Sequence, residues 1–237
     1  MTALILGAVM FVVLFAGFSA LGVWQLRRLA WKQDLIRQVD ARIHAAPVAA
    51  PPPDQVVTRQ ADQYRRVVVS GRFDHRREAL VKAVTDLGPG YWVMTPLVTD
   101  RGFTVLINRG FVPPERQKPA DRAAGEGEGP ATVVGLLRLT EPDGGFLRAN
   151  DPAGDRWFSR DVAAIAKARG LAGPVASYFI DAGATPNPGG WPRGGLTVVR
   201  FPNSHLIYAL TWFGLALMSA AGFVLFLREE RKRRAAR

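Results

Sequence analysis

The chain has 237 residues, a formal net charge of +11 at pH 7 and no cysteine. The lack of cysteine excludes disulfides, covalent c-type haem attachment, thiolate metal sites and cysteine nucleophiles. Nucleic-acid binding is a poor explanation of the charge, because the aromatic residues are not interleaved with basic residues as in an RNA- or DNA-binding module.

The first segment is apolar and predicts a membrane-spanning helix. No charged residue occurs from position 1 to position 26, and a helix needs roughly 20 residues to cross the hydrocarbon core of a bilayer. A cleaved signal peptide is not expected, since there is no positive n-region, the apolar stretch is long and no small-residue cleavage site follows. We assign the first transmembrane helix to residues 1–27.

Residues 28–63 are predicted to form a helical extension and a Pro-rich linker. Four residues at the end of the span are spaced at i, i+3, i+4 and i+7 and therefore share one helix face. They are Trp24, Arg27, Arg28 and Trp31. Four prolines between residues 45 and 54 then predict an extended segment.

Residues 64–204 predict a mostly antiparallel β domain of the α+β type with one or two helices. Turn residues separate segments that are rich in β-branched and aromatic side chains. The predicted strands are 65–73, 78–84, 91–99, 103–111, 132–139, 175–181 and 196–201. A helix is expected at 159–169, with Ser159 as its N-cap and Gly170 as its stop signal. Residues 118–130 are polar and rich in Gly and Glu, which predicts a mobile loop.

A second uncharged segment predicts another transmembrane helix at residues 205–227, followed by a basic tail at 228–237. The tail holds six Lys and Arg residues and two glutamates. Short basic flanks stay cytoplasmic, whereas long loops cross the membrane largely regardless of their charge. Both termini are therefore predicted to be cytoplasmic and the domain extracytoplasmic, in a multi-pass protein of a bacterial plasma membrane.

Three basic residues just outside the first span, Arg27, Arg28 and Lys32, oppose this orientation. We let the tail decide because its charges are denser and the central domain is too long to obey the rule. The tail also suits contact with anionic lipid headgroups.

No catalytic constellation is recognised, and we expect an accessory protein rather than an enzyme. The histidines, His44, His75 and His205, are far apart in sequence. There is no zinc-protease, nucleophile-elbow or phosphate-loop motif. Asp151 and Asp155 lie in a turn-like segment and are interpreted as turn residues.

His205 is the strongest ligand candidate because it opens the second span. Neutral imidazole binds iron, and arginine binds carboxylates with two hydrogen bonds. The aromatic and basic residues predicted at the same membrane surface are Tyr208, Trp212, Trp24, Arg27 and Arg28. The alternative is that all of these residues are interfacial anchors.

Asn108 and Arg109 form a second polar cluster at the end of a predicted strand, just before Gly110. Two interpretations stay open. The pair either belongs to a structural turn in which Arg109 pairs with a carboxylate, or it binds a partner.

Five segments together resemble the surfeit locus protein 1 family, in the order in which that family has them. They are LGVWQLR at 21–27, GYWVMTPL at 90–97, VLINRGFVP at 105–113, RWFSRD at 156–161 and HLIYALTWFGL at 205–215. Two residues depart from the family pattern. Phe111 stands where tryptophan is common, and Leu196 stands where a polar residue is common.

The resemblance implies an assembly factor for a haem-copper terminal oxidase, cytochrome c oxidase. It implies haem a as a transient cofactor and the catalytic subunit of the oxidase as partner, with haem a synthase and other assembly factors as further partners. His205 matches the family's haem-associated histidine and is the expected metal ligand. The resemblance also leads us to expect haem packing against Trp24, Tyr208 and Trp212, with Arg27 or Arg28 at its propionates.

The competing expectation is a cofactor-free membrane scaffold that stabilises the nascent oxidase subunit. In that case His205 is only an interfacial anchor.

Overall fold

The computed structural model describes residues 2–145, 147–199 and 201–236. These residues divide into two compact units. The first unit is Met1–Gln38 with Arg200–Arg237, and the second is Val39–Val199. Two long apolar helices and a β-rich domain confirm the predicted fold class.

Within the described residues there are four α-helices. They are Thr2–His44 (α1), Arg59–Asp62 (α2), Val162–Ala168 (α3) and His205–Ala235 (α4). By length and composition, α1 and α4 are suited to cross a membrane. Short 3-10 turns occur at His75–Arg77, Pro114–Arg116, Pro119–Gly125 and Pro188–Gly190.

The two long helices pack antiparallel through small residues. A methyl group added at Gly22 of α1 would lie 2.6 Å from the ring of Phe213, and one added at Gly7 would lie 2.7 Å from the ring of Phe226. The aromatic ring of Phe11 lies between those levels, with its centroid 6.1 Å from that of Phe223. Close packing around small residues is the usual way in which apolar helices associate in lipid.

Seven strands form the β domain. They are Val48–Ala49 (β1), Arg66–Phe73 (β2), Ala79–Thr85 (β3), Gly88–Thr99 (β4), Thr104–Val112 (β5), Pro130–Leu139 (β6) and Val175–Ala182 (β7). Their order is β1-β2-β6-β7-β5-β4-β3, with an additional pairing of β2 with β4. That pairing closes β2, β6, β7, β5 and β4 into a barrel, since each of these strands then has two neighbours. The pairing of β5 with β7 is parallel, whereas the other barrel pairs are antiparallel.

Gly71 permits the closure of the barrel. It lies opposite Thr99 in the register of β2 with β4, and a methyl group at Gly71 would collide with the backbone carbonyl of Val98. A strand residue without a side chain is typical of such a close approach between two backbones.

The hydrophobic core lies on both faces of the barrel wall. Alternate residues fill the interior, as the two-residue period of a strand requires; they include Val67, Val69, Leu97, Val105, Ile107, Leu137, Tyr178 and Ile180. On the outer face α3 and β3 cover a second cluster, which includes Val81, Met94, Leu106, Trp157, Ile165 and Phe179. Phe111 is fully buried and its ring meets that of Trp92 edge-on, 6.1 Å between centroids.

The strand predicted at 196–201 is wrong for the part that the structure describes. Residues 196–199 and 201 are not in a strand, and Arg200 lies outside the described residues. The five barrel strands are paired on both sides, and Thr197 uses its hydroxyl to contact Asp181 at 2.9 Å instead of joining a strand.

The Pro-rich segment differs from the extended linker that the sequence predicted. Val48 and Ala49 pair with β2 in parallel, and Ala50 is buried in the core. The hydroxyl of Tyr178 donates a hydrogen bond of 2.6 Å to the carbonyl of Pro51. The segment is therefore part of the β domain.

Two other local predictions need correction. The helix α3 begins at Val162 with Asp161 as its N-cap, whose carboxylate accepts from the amide of Ala164 at 3.1 Å. Ser159 is not the cap, because its hydroxyl accepts from the amide of Gly144 instead. Residues 119–125 form two short 3-10 turns joined by a kink at Arg122, rather than an irregular loop, and the buried side chain of Arg122 anchors them.

Candidate functional site

A hydrogen bond joins the start of α4 to α1. Nδ1 of His205 lies 2.8 Å from Oε1 of Gln25. A carbonyl oxygen only accepts, so Nδ1 is the donor in this arrangement, and in the neutral imidazole Nε2 then keeps its lone pair. Gln25 is buried, with 8% of its surface exposed, and His205 is half-buried. The pair thus presents one imidazole nitrogen in the form that binds a metal.

The pair continues the contact face of the two helices. On α1, Phe18, Gly22 and Gln25 follow one another at helical spacing and all meet α4. The ring of Trp212 stacks on that of Phe18 with 5.8 Å between centroids and 24° between planes. The polar pair therefore lies where the apolar packing ends.

The structure distributes the predicted cofactor residues between two environments. Trp212 and His205 lie on the contact face between the helices. Trp24 and Tyr208 are 52% and 55% exposed. Their rings are therefore free to contact lipid, a partner or a bound group.

The predicted basic residues are exposed. Arg27 and Arg28 are both in the exposed class, and the guanidinium of Arg28 lies over the ring of Trp31, 4.6 Å from its centroid. Arg28 and Trp31, three residues apart, therefore lie on one helix face, as their spacing predicted.

Gln25 is the residue that sequence reasoning missed. Its signal was an amide side chain within an otherwise apolar span, since polar groups at membrane depth are costly and need a partner. Its partner depends on how α1 faces α4, which one helix pattern alone does not give.

Asn108 and Arg109 are neighbours on β5 and point to opposite sides of it. The amide of Asn108 donates to Asp181 at 2.7 Å. Asn108 and Asp181 are almost fully buried, with 4% and 2% of their surface exposed. Asp181 also accepts from Arg138 at 2.7 Å and from Arg160 at 3.2 Å. Glu141 pairs with the same two arginines. Asn108 therefore belongs to a network in which two carboxylates balance two guanidinium groups.

This network borders a cavity of about 620 Å³ that is lined by polar residues of four strands and by residues 195–198. The hydroxyl of Thr197 donates to Asp181 at 2.9 Å. Leu196 stands where a polar residue is common in the family, and the polar contact of this segment is made by its neighbour Thr197.

Arg109 lies in a different environment. It donates hydrogen bonds to the carbonyl of Gly125 and to Oδ1 of Asn187, the latter at 3.1 Å. Its guanidinium lies over the ring of Phe73 at 5.0 Å. Burial lowers the pKa of Arg109. No carboxylate lies within salt-bridge distance of Arg109 among the described residues, so the predicted carboxylate pair is not seen there.

Comparison with known proteins places the chain. The model of the SURF1 family matches residues 12–217. Surfeit locus protein 1 of Homo sapiens is 38% identical over 226 residues, which cover 88% of this chain and 73% of that protein. Surfeit locus protein 1 of Takifugu rubripes is 35% identical over 227 residues, covering 88% of this chain and 92% of that protein. The chain belongs to the SURF1 family.

A third relative is similar to the chain over the same extent. The SURF1-like protein of Monosiga brevicollis is 37% identical over 228 residues, which cover 89% of this chain and 83% of that protein. The region matched by the SURF1 family model contains Gln25, His205 and the whole barrel. The match to the family model therefore includes residues of both units of the structure.

Proposed function

We propose that this SURF1 family protein is an assembly factor for a haem-copper terminal oxidase, cytochrome c oxidase, and that it holds haem a transiently through His205. The observation that carries the proposal is the hydrogen bond from Nδ1 of His205 to Gln25, which leaves Nε2 of the neutral imidazole as the nitrogen with a free lone pair. When bound, haem a supplies the redox chemistry of the oxidase and not a reaction of this protein.

The residues at this end of the helix pair fit such a group by their donor chemistry. His205 offers one neutral imidazole nitrogen, and Gln25 fixes the orientation of the ring, as an outer-shell partner does at other metal sites. Trp24 and Tyr208 offer exposed rings that can pack on a flat macrocycle. Arg27 and Arg28 are exposed guanidinium groups that suit propionate carboxylates.

Trp212 has a supporting role in this proposal. Its stacking on Phe18 holds the first two turns of α4 against α1, and thereby keeps His205 within reach of Gln25. Binding through a single exchangeable nitrogen suits a protein that must release its cargo.

The proposed location is a bacterial plasma membrane, with both termini in the cytoplasm and the barrel outside. The basic residues after position 227 support this orientation. In this position the protein would work beside the catalytic subunit of the oxidase, with haem a synthase and other assembly factors as further partners. We propose an accessory role and no enzymatic activity.

A scaffold without cofactor is the second candidate. The hydrogen-bonding needs of His205 are partly met by Gln25 without any ligand, and exposed Trp and Tyr side chains at helix ends also serve as interfacial anchors. In this case the barrel binds and stabilises the nascent oxidase subunit.

Absorption spectra of the detergent-purified protein, co-expressed with haem a synthesis, distinguish the two. The wild type should show a Soret band and an α band, and His205→Ala should lose both. Gln25→Leu should bind haem roughly 10- to 100-fold more weakly, because the imidazole loses its orienting partner. His44→Ala, which alters an exposed histidine of α1, is the matched control and should keep the spectrum. Colourless wild-type protein would favour the scaffold.

A further inference from the structure

Two cations converge on one aromatic ring at the surface of the β domain. Nζ of Lys82, on β3, lies 5.4 Å from the centroid of the Phe158 ring, and the guanidinium carbon of Arg148 lies 5.5 Å from it. Both cationic side chains are exposed and the ring is half-buried. Cation–π attraction holds each charge to the ring, while the two like charges repel each other.

Two cations also flank the ring of Phe179, and there carboxylates of the same chain pair with both of them. Arg138 and Arg160 lie 5.8 Å and 4.8 Å from the centroid of that ring. There, Asp181 and Glu141 supply two carboxylates that neutralise both arginines. Two cations beside one aromatic ring are thus neutralised by carboxylates within this same fold.

At Phe158 the carboxylates are missing from the part of the chain that the structure describes. No Asp or Glu of the described residues lies within salt-bridge distance of Lys82 or Arg148. The two cations therefore have their charge available for an acid that comes from outside the chain.

The cations line an open groove of about 410 Å³. Tyr91 and Pro114 form part of its wall, and Phe158 lies between the two cations. Apolar side chains accompany the cations: Val84 lines the groove and is 86% exposed, and Leu147, which precedes the lining residue Arg148 in sequence, is 89% exposed. The surface thus combines positive charge with apolar area.

We propose that this groove, named here the Phe158 groove, binds an acidic segment of a partner polypeptide. Carboxylates of the segment pair with Lys82 and Arg148, and apolar side chains of the same segment cover Val84 and Leu147. A free anion is a poor occupant because single ion pairs at exposed sites are weak in water. A polypeptide makes both charge pairs and apolar contacts at once, and central aromatic and cationic residues are typical of interface hot spots.

The Phe158 groove is separate from the haem-holding role and does not depend on it. Its test therefore contains no haem. We would measure the binding of a short fluorescent peptide of alternating Glu and Leu to the full-length protein in detergent by anisotropy at low salt. The same peptide with Gln in place of Glu is the charge control.

The decisive variant reverses both charges, Lys82→Glu with Arg148→Glu, and should weaken binding of the acidic peptide by about tenfold or more. Phe158→Leu keeps the groove apolar but removes the ring, and should weaken binding by about threefold. The matched control reverses an exposed arginine and an exposed lysine elsewhere on the domain, Arg76→Glu with Lys167→Glu, and should bind like the wild type. Circular dichroism checks that every variant is folded.

Three results would overturn the proposal. The first is equal binding by the wild type and the groove variant, and the second is an equal loss in the control variant. The third is stronger displacement of the peptide by a water-soluble, short-chain anionic phospholipid than by unlabelled peptide at the same charge concentration, which would assign the groove to lipid headgroups. Loss of binding in the groove variant alone, for the Glu peptide alone, would support it.

Discussion

Buried polar side chains of the β domain form two networks with different chemistry. Around Asp181, four donors surround one carboxylate, and two of them are arginines that Glu141 also contacts. A buried charge is tolerated only when it is paired and hydrogen-bonded, so this network ties β5, β6 and β7 together. Around Arg109, a cation is held by a carbonyl, an amide and an aromatic ring.

His75 belongs to the second network, and its environment fixes its tautomer. Nε2 lies 3.2 Å from the carbonyl of Gly127, which only accepts, so Nε2 carries the hydrogen. Nδ1 then faces the guanidinium of Arg109 at 3.4 Å as an acceptor. Burial lowers the pKa of His75, and the charge of Arg109 lowers it further, while Glu126 and Glu78 oppose these effects.

We therefore predict that the β domain loses stability as the pH falls through and below 6.5, the ordinary pKa of histidine. Because the pKa of His75 is lowered in the folded state, the unfolded chain takes up the proton first. The free energy of unfolding therefore decreases until the pH reaches the lowered pKa of His75. The measurement is the urea midpoint of the protein in detergent between about pH 7.5 and about pH 5.

The variant His75→Gln should show a flatter pH profile than the wild type, because Gln retains polar contacts but does not titrate. His44→Gln, at an exposed position of α1, should keep the wild-type profile. Parallel profiles for His75→Gln and the wild type would show that another group causes the pH dependence.

At the scale of elements, the packing of α1 against α4 depends on small residues at regular intervals. The buried residues of α4 are Ala209, Ala216 and Ser219, and Trp212 lies between the first two. Spacings of three and four residues keep one helix face toward a neighbour. Glycines of α1 meet the large rings of α4, so the faces interdigitate.

The glycines of α1 provide a matched pair of substitutions. Gly22→Val should separate the helices, because a methyl group there already meets the ring of Phe213 at 2.6 Å. Gly17→Val should be tolerated, since nothing lies within 4 Å of a methyl group at that position. Cysteines in place of Phe11 and Phe223 report the packing, because the chain has no cysteine of its own.

A short bifunctional maleimide should cross-link the two introduced cysteines in the parent and in Gly17→Val, because the side chains that they replace meet, with ring centroids 6.1 Å apart. The yield should fall by about threefold or more in Gly22→Val, because a larger side chain at a close helix contact holds the two helices apart. Similar yields for both valine variants would contradict the packing described for Gly22.

Local sequence patterns predicted most strands but not how they join. Six predicted strands correspond to β2–β7, because each carries β-branched or aromatic residues between turn signals. β1 has two residues and no pattern of its own. The closure by β2 with β4 and the parallel pairing of β5 with β7 were not predicted, because pairing between distant strands depends on register and on the whole set of neighbours.

The same limit applies to the candidate site. His205 could be identified from its position at the start of a span, and the exposed rings from their spacing. The partner of His205 could not, because the Gln25–His205 contact joins residues 180 positions apart. Asn108 and Arg109 looked like one cluster in sequence, whereas strand geometry places them on opposite sides of β5.

At the scale of the whole molecule, the absence of cysteine makes the proposed orientation directly testable. A single cysteine in the β domain, Lys118→Cys, should react with a membrane-impermeant maleimide in intact spheroplasts. A single cysteine in the basic tail, Arg233→Cys, should react only after the membrane is permeabilised. The unmodified chain is the blank. The reverse pattern would mean that the basic residues at 27, 28 and 32, rather than the tail, determine orientation.

The position of β7 in the barrel has a consequence for biogenesis. β7 lies between β6 and β5 in the sheet, yet it is the last strand to leave the ribosome, at residues 175–182. Until it arrives, the edges of β5 and β6 lack their shared neighbour and the interior apolar residues stay open to solvent. Long-range pairing of this kind slows folding and exposes the nascent chain to aggregation. The barrel therefore closes only after β7 is available, when most of the chain has already been synthesised.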